Sequence, residues 1–322
     1  DPARVIAVNL DVGTDNEALL NDPAYLGNRH ARVRGEKYDA LIAEYLKVAS
    51  ELYPQALLHF EDFGPANARR ILVENREKYR IFNDDMQGTG AIVMAAVISG
   101  LKVTKQHFTD QRLVVYGAGT AGTGMADQIS AAMQREGLSR EEARKRVWLI
   151  DRNGLVTDDM PNLPNYQQEY ARPAAEVASW AREGLPGGNG NGHGHAADAG
   201  HAGTASHGCN QTGGKIGLLE VVKQVKPTIL IGTSTDHGAF TEAVVKALAA
   251  GVERPILLPL SNPTEKIEVM PSEAIPWSEG RALMATGIPL PPVQYNGTAF
   301  HIGQGNNALL YPGLGLGVIV SG

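Results

Sequence analysis

A glycine-rich turn constrains the fold of this chain more than any other part of its sequence. The apolar run Arg112–Tyr116 leads into Gly117-Ala118-Gly119-Thr120-Ala121-Gly122, and a helical pattern follows. GxGxxG between a strand and a helix is typical of dinucleotide binding, because the free N–H groups and the dipole at the helix N-terminus attract a pyrophosphate. The first glycine permits the tight turn, the second lets the pyrophosphate approach, and the third permits close packing of helix on strand. The alternative is a turn of the same composition without a ligand.

The rest of the sequence alternates short strand-like apolar runs with helical patterns. The strand-like runs are Val5–Val12, Ala56–Phe60, Arg80–Phe82, Arg112–Tyr116, Val147–Asp151, Thr228–Gly232, Pro255–Leu260 and Ala282–Ala285. The helical patterns are Glu36–Leu52, Met86–Leu101, Ala121–Gln134, Ile216–Val225 and Ala239–Ala250. This alternation predicts an α/β fold, with a Rossmann-like doubly wound parallel sheet that forms a nucleotide domain and part of a second α/β domain.

The strand after the glycine-rich turn ends in an acidic residue. This strand, Val147–Asp151, places the Asp151 carboxylate where it can accept hydrogen bonds from ribose hydroxyls. Its separation from Gly117 exceeds the usual spacing of about 20 residues. A second helical segment, Ser139–Arg146, accounts for the extra length.

Two pairs of acidic residues also follow strand-like runs. Glu61-Asp62 follows Phe60, and Asp84-Asp85 follows Asn83. Ligands of open α/β sheets bind at strand ends, and neighbouring carboxylates repel each other unless a cation lies between them. Oxygen donors from two strand ends suit Mg²⁺ or Mn²⁺. The alternative for Asp84-Asp85 is a solvated N-cap of the helix that begins at Met86.

Asparagines mark two further segments. Asn262 lies in Leu260-Ser261-Asn262-Pro263-Thr264, at the end of a strand-like run, and Asn306-Asn307 follows Gly303-Gln304-Gly305. Each segment by itself is typical of a turn, because asparagine favours turns for local backbone reasons.

Composition excludes some classes of function. A net charge of -6 and a pI of about 5.9 argue against a nucleic-acid partner that binds a basic surface. The single cysteine, Cys209, excludes an intrachain disulfide and favours a reducing compartment. The longest near-continuous apolar stretch, Ala91–Leu101, is too short for a membrane span, and no secretory signal opens the chain. The sequence begins with Asp1 and not with Met, so we expect this chain to be a piece of a longer protein.

The segment Gly184–Gly214 breaks the pattern of helices and strands. It is rich in Gly, Asn, Ala and His and has no periodicity, which predicts a flexible surface loop. The alternative is a metal-binding tract that uses four histidines and the cysteine, namely His193, His195, His201, His207 and Cys209, although their spacing matches no structural zinc pattern.

Longer motifs give the chain a resemblance to a known family. In chain order they are LDVGTDNEALLNDPAYLG, HFEDFGPANARRIL, YRIFNDDMQGTG, VVYGAGTAGTG, LIDRNGL, LPLSNPT and GQGNNALLYPGLGLG. Together they resemble malic enzyme over essentially the whole chain except the Gly/His-rich segment, and the run GTSTDHGAFTEAVV is most similar to fungal and bacterial large-subunit members. The resemblance implies conversion of L-malate to pyruvate and CO2 with reduction of NAD or NADP, assisted by Mg²⁺ or Mn²⁺.

The resemblance also implies roles for individual residues. Glu61, Asp62 and Asp85 match the metal ligands, and Asp84 matches the residue beside the catalytic lysine, so Asp84 and Asp85 are the predicted catalytic residues. The predicted cofactor-binding residues are Asp85, Gly117, Ala118, Gly119, Thr120, Ala121, Gly122, Asp151, Arg152 and Asn262. The predicted substrate-binding residues are Asn262, Asn306 and Asn307.

The chain departs from the family pattern in two places. The family's catalytic tyrosine, catalytic lysine and substrate-binding arginine precede the segment that matches Leu10–Gly27, so we expect them upstream and expect this chain alone to lack turnover. The second departure is Pro65, where many members have an asparagine near the cofactor.

The cofactor is predicted to be NAD, with NADP as the alternative. NADP-preferring members have a lysine downstream of the residue that matches Asp151, whereas the stretch Asn165–Glu169 has glutamines. The Asp151 carboxylate would also repel a 2′-phosphate, although Arg152 could attract it.

The predicted domains follow the family. Residues 1–83 would be the remainder of a substrate and metal domain, residues 84–305 the nucleotide-binding domain, and residues 306–322 a return to the first domain. The family further implies a homo-oligomer, a tetramer or dimer, in the cytoplasm or mitochondrial matrix. Two alternatives for function are a nucleotide-binding or regulatory module without catalysis, and a malolactic-type or other metal-dependent 2-hydroxy-acid dehydrogenase.

Overall fold

A computed structural model describes residues 4–184 and 214–321. The predicted loop between Gly184 and Gly214, including its four histidines and Cys209, lies outside these described residues. Packing within the chain separates two compact units, one with residues up to Leu58 and Asn75–Ile81, the other with His59–Glu74 and Phe82–Ser321. The predicted domain borders at residues 83 and 305 stay predictions.

In the first unit the described residues form the helices α1 (Glu17–Asn21) and α2 (Glu36–Leu52). The sequence pattern predicts the bounds of α2 correctly, and its buried face consists of Tyr38, Ile42 and Leu46 at intervals of four residues. The predicted strand Val5–Val12 is wrong, because this segment pairs with no strand among the described residues.

The elements that carry the acidic pairs come next in the chain. They are β1 (Leu58–Phe60), α3 (Pro65–Asn75) and β2 (Ile81–Asn83), and β1 and β2 form a two-stranded sheet. A single π-helical turn, Asp84–Gly88, follows β2 and continues directly into α4 (Thr89–Thr104). π-Turns of this kind are rare and frequently lie at functional sites.

The remaining elements include the predicted strands and helices, together with several short strands and helices that the sequence pattern did not indicate. The strands are β3 (Leu113–Tyr116), β4 (Val147–Asp151), β5 (Gly154–Leu155), β6 (Ile229–Gly232), β7 (Ile256–Pro259), β8 (Leu283–Thr286), β9 (Val293–Tyr295), β10 (Thr298–Phe300) and β11 (Gly303–Gln304). The helices are α5 (Thr120–Arg135), α6 (Arg140–Lys145), α7 (Asn165–Gln168), α8 (Leu218–Val225), α9 (Glu242–Gly251), α10 (Pro271–Trp277) and α11 (Tyr311–Ser321). Short 3₁₀ turns occur at Phe108–Asp110, Thr264–Lys266 and Asn307–Leu309.

The central sheet has the order β11-β8-β7-β6-β3-β4-β5, and all neighbours are parallel except β4 and β5. Because successive side chains alternate between faces, Leu113 and Val115 pack in one apolar core with Met133, whereas Val114 packs in the other with Phe240. Strands β9 and β10 form a separate antiparallel pair. The predicted fold class, α/β with a Rossmann-like parallel sheet, is confirmed.

The strand order reverses between β3 and β6. The chain runs from β3 to β4 and β5 on one side and then crosses to β6, β7 and β8 on the other. The register pairs Tyr116 with Gly232, so the glycine-rich turn lies beside Thr233, whose Oγ1 donates a hydrogen bond to the Gly117 carbonyl at 2.9 Å. In doubly wound sheets, ligands bind in the crevice at such a switch point.

One helical stretch of the described chain, Asp84–Thr104, is long and apolar enough by length and composition alone to cross a membrane. It includes Val93 and Val97, which are 1% and 0% exposed in the core beside the sheet. Burial of this kind is typical of a helix in a protein core, and such a helix can be as long and as apolar as a membrane span. The predicted absence of a membrane partner stays a prediction.

Candidate functional site

Three carboxylates converge after β1 and β2. One oxygen each of Glu61, Asp62 and Asp85 lies within 4.8 Å of the others, and these are the three residues predicted to bind a metal. The backbone fixes part of this arrangement, because Asp62 adopts a left-handed conformation with φ of 60° and its N–H donates to Asp85 Oδ2 at 3.1 Å. The arrangement therefore places three oxygen donors around one point.

The electrostatics of this cluster favour a bound cation. Burial raises the pKa of Glu61 to about 8, and a hydrogen bond with Asp84 and repulsion from the neighbouring carboxylates add to the shift. Burial is also the main cause of the raised pKa of Asp85. In the described part of the chain, no lysine or arginine forms an ion pair with Glu61, Asp62 or Asp85. The donor set therefore fits Mg²⁺ or Mn²⁺, which take carboxylate oxygens and keep further positions for water or substrate.

Asp84 has a different environment from Asp85. It is 1% exposed, and its Oδ2 accepts hydrogen bonds from Asn307 Nδ2 at 2.6 Å and Tyr311 Oη at 2.5 Å. Its Oδ1 is buried and receives no N–H or hydroxyl donor from the described residues. The side chain that caps the π-turn is Asn83, whose Oδ1 accepts from the Met86 N–H at 3.0 Å. The solvated N-cap alternative for Asp84 is therefore wrong.

Two residues beside Asp84 were missed by the sequence analysis. His59 Nε2 lies 4.0 Å from Asp84 Oδ1, and the His59 ring lies 5.4 Å from the ring of Tyr311. His59, Glu61 and Asp84 form a second group whose possible ligand atoms lie within 4.8 Å of one another. The period of two along β1 puts His59 on the same face as Glu61 and could have indicated it, whereas no local pattern indicates Tyr311.

The glycine-rich turn has the geometry that its sequence predicts. Gly117 has φ of 107°, and a Cβ there would lie 2.5 Å from the Thr233 carbonyl carbon. A Cβ on Gly122 would collide with the Gly117 carbonyl oxygen, whereas a Cβ on Gly119 would meet open space. Gly119 precedes α5 and gives its first turn no side-chain cap, so the N–H groups at this helix end are available to a pyrophosphate.

Asp151 is connected to this turn by Gln167. Asp151 Oδ1 accepts from the Arg152 N–H at 2.8 Å, and Oδ2 accepts from Gln167 Nε2 at 2.8 Å. The same Gln167 nitrogen donates to the Ala118 carbonyl at 2.7 Å. Arg152 is exposed. Gln167 therefore holds the candidate ribose ligand against the glycine-rich turn, a role that the sequence pattern did not indicate.

The predicted asparagines separate in the structure. Asn307 contacts Asp84, whereas Asn306 caps the 3₁₀ turn that follows it, accepting from the Ala308 N–H at 2.9 Å. Asn262 follows β7 and is exposed, and a Cβ on Gly287 would lie 2.7 Å from its Oδ1. The structure thus brings Asn307 to the acidic cluster and gives Asn306 the turn role that its residue type favours.

Comparison with known proteins agrees with this geometry. The model of the malic enzyme NAD-binding domain matches residues 86–191 and 194–322, and that of the malic enzyme N-terminal domain matches residues 1–80. NAD-dependent malic enzyme 3 of Bacillus subtilis is 54% identical over all of this chain and 52% of its own length. The malolactic enzyme of Lactiplantibacillus plantarum is 43% identical over all of this chain and 53% of its own length.

A solved structure shows the same fold. The crystal structure of an NAD-dependent malic enzyme from Thermotoga maritima has a TM-score of 0.56 and 22% identity, over 86% of this chain and 58% of that one. The chain spans about half the length of the curated relatives that it matches. These matches confirm the resemblance found in the sequence, and the chain belongs to the malic enzyme family.

Proposed function

We propose that the protein containing this chain catalyses the oxidative decarboxylation of L-malate to pyruvate and CO2, with reduction of NAD and dependence on a divalent metal. The observation that carries the proposal is the convergence of Glu61, Asp62 and Asp85 within 4.8 Å in a chain that also forms a complete dinucleotide turn. A relative named NAD-dependent malic enzyme 3, at 54% identity, supports it.

The residues of this chain fit the groups that the reaction needs. Glu61, Asp62 and Asp85 would hold Mg²⁺ or Mn²⁺, which supplies Lewis-acid polarisation of substrate oxygens, while NAD supplies the hydride acceptor. The first turn of α5 would bind the pyrophosphate, and Asp151 would bind the ribose hydroxyls. Each of these roles is electrostatic or positional.

Asp84 is suited to support proton transfer rather than metal binding. Asn307 and Tyr311 both donate to its Oδ2, which fixes the direction of the carboxyl group, and its buried Oδ1 receives no N–H or hydroxyl donor from the described residues. Burial and the bond to Asp84 raise the pKa of the Tyr311 hydroxyl, which therefore keeps its proton and remains a donor. Asp84 Oδ1 is where the base implied by the family, a lysine that matches no residue of this chain, would be stabilised as a cation.

NAD rather than NADP is the cofactor that this site fits better. At the end of β4, the ribose ligand is a carboxylate and its neighbour Gln167 is uncharged, so a 2′-phosphate would meet repulsion without a matched cation. Among the described residues at the end of β4, the exposed Arg152 side chain favours NADP. A homo-oligomer of two or four chains in the cytoplasm or mitochondrial matrix, without a nucleic-acid or membrane partner, completes the proposal.

The test is a product assay with L-malate, Mn²⁺ and NAD. The protein at the full length of its relatives is expected to form pyruvate and NADH in equal amounts, while the chain alone is expected to bind NADH without turnover. If the extended protein forms neither product, the catalytic assignment is wrong and the chain is a nucleotide-binding module.

A malolactic reaction is the second candidate, since one relative at 43% identity carries that name. Lactate without net NADH would establish it in the same assay.

Equal rates with NAD and NADP would contradict the preference for NAD that is assigned to Asp151 and Gln167.

A further inference from the structure

A fully buried carboxylate lies behind the carboxyl edge of the sheet, outside the acidic cluster. Glu268 is 0% exposed and follows the 3₁₀ turn Thr264–Lys266. Its Oε1 accepts from Ser234 N–H and Ser234 Oγ, each at 2.9 Å, and from Ser261 Oγ at 2.5 Å. Its Oε2 accepts from the Ser261 N–H at 3.4 Å. Among the described residues its partners are neutral donors, so this buried carboxyl group is satisfied by directed hydrogen bonds.

These bonds join the segments that leave two adjacent strands. Ser234 belongs to the loop after β6, and Ser261 follows β7. Ser261 Oγ also accepts from the Thr235 N–H at 2.9 Å, which adds a second bond between the same two segments. Gly232 makes room for the carboxylate, because a Cβ there would lie 2.5 Å from Glu268 Cδ. A carboxylate suits this place because it offers only acceptors to donors that arrive from both loops.

Both segments border the dinucleotide crevice. Thr233, next to Ser234, donates to the carbonyl of Gly117 in the glycine-rich turn. Asn262, next to Ser261, is exposed, and no hydrogen bond of the described chain involves its side chain. The direction of Asn262 therefore depends on the backbone of Ser261, which Glu268 holds from behind.

We propose that Glu268 is a positioning residue for dinucleotide binding, which holds Asn262 at the crevice through Ser261 and holds the loop after β6 through Ser234. This inference rests on the proposed function, because it requires that NAD occupies the crevice beside the glycine-rich turn.

The test is a double-mutant cycle read as NADH affinity by fluorescence titration. Asn262→Ala is expected to weaken NADH binding about tenfold, Ser261→Ala about fivefold, and the double variant about tenfold rather than about fiftyfold, because residues acting through one another are not additive. Ser278→Ala is the matched control. It also removes a buried serine hydroxyl, which donates to the Ile275 carbonyl at 3.1 Å away from the crevice, and it should leave NADH affinity unchanged.

Two substitutions at Glu268 separate positioning from folding. Glu268→Gln keeps an oxygen that can accept from both serines, so it should retain most of the affinity, while Glu268→Met should match or exceed the loss in Ser261→Ala. If Glu268→Met does not fold, Ser261→Ala still decides, because it leaves the carboxylate in place.

The outcomes distinguish the inference from the proposed function. Additive losses, or an Asn262→Ala variant with unchanged affinity, would overturn the positioning role while leaving dinucleotide binding intact. Failure of the unaltered protein to bind NADH would overturn the proposed function and the inference with it. Non-additive losses with a silent Ser278→Ala control would support both.

Discussion

Exchanging the carboxylate of Asp85 for an amide is expected to weaken Mn²⁺ binding about 100-fold. Asp85→Asn removes one of three charged donors that lie within 4.8 Å of one another, while its remaining oxygen can still accept from the Asp62 N–H. The loss should therefore reflect the ligand charge rather than a collapsed loop. Residues that merely support metal ligands typically change affinity by about 10–100-fold, so a direct ligand belongs at or above the upper end, or about 2.7 kcal/mol.

Asp84→Asn is the matched control for that substitution. Asp84 is the preceding residue in the same π-turn, but its Oδ2 is occupied by Asn307 and Tyr311. An amide fits this place, because its oxygen can accept both bonds while its NH₂ takes the position of Oδ1. We expect Asp84→Asn to change Mn²⁺ affinity by less than about tenfold.

The assay is a titration of the metal-free protein with Mn²⁺, read from the electron paramagnetic resonance signal of the free ion. Thermal unfolding of both variants without metal shows whether either one has lost its fold. Losses of equal size in Asp84→Asn and Asp85→Asn would contradict separate roles for the two carboxylates.

Other expected outcomes concern the dinucleotide turn, the choice of cofactor and the core. Gly119→Ala should keep the stability of the chain but weaken NADH binding at least about tenfold, whereas Gly122→Ala should also lower stability by about 1–3 kcal/mol, because its Cβ collides with a carbonyl oxygen. Gln167→Lys should raise affinity for NADPH relative to NADH about tenfold in parallel titrations, since it adds a cation beside the ribose site; an unchanged ratio would contradict this placement. Leu113→Ala should lower the free energy of unfolding by about 2–5 kcal/mol in urea, and the fully exposed control Leu26→Ala by less than about 0.5 kcal/mol.

The parts of the site predicted correctly from sequence are those set by local backbone requirements. Gly117 needs a positive φ and Gly122 needs contact with a neighbouring carbonyl, and both needs are visible in the spacing of the motif. The alternation of strands and helices likewise predicted the parallel sheet. A helix between two successive strands returns the chain to the same end of the sheet, so the strands run in the same direction. Resemblance to the family then named the carboxylates that the structure brings together.

The parts that were missed depend on contacts between distant segments. Tyr311 lies 227 positions from Asp84 along the chain, and the residues around it in the sequence do not indicate that its hydroxyl donates a hydrogen bond to Asp84. Glu268 lies in a turn where a glutamate would ordinarily be solvated, yet the fold buries it. The strand wrongly predicted at Val5–Val12 shows the same limit, since an apolar run does not specify a pairing partner.

The most direct test of the metal site is anomalous diffraction from crystals of this protein grown with Mn²⁺ and NAD. We expect one strong Mn²⁺ peak within about 2.0–2.3 Å of carboxylate oxygens from Glu61, Asp62 and Asp85, with Asp84 still bonded to Asn307 and Tyr311. A peak among His59, Glu61 and Asp84 instead, or full occupancy of the crevice by NAD without metal near these carboxylates, would contradict it.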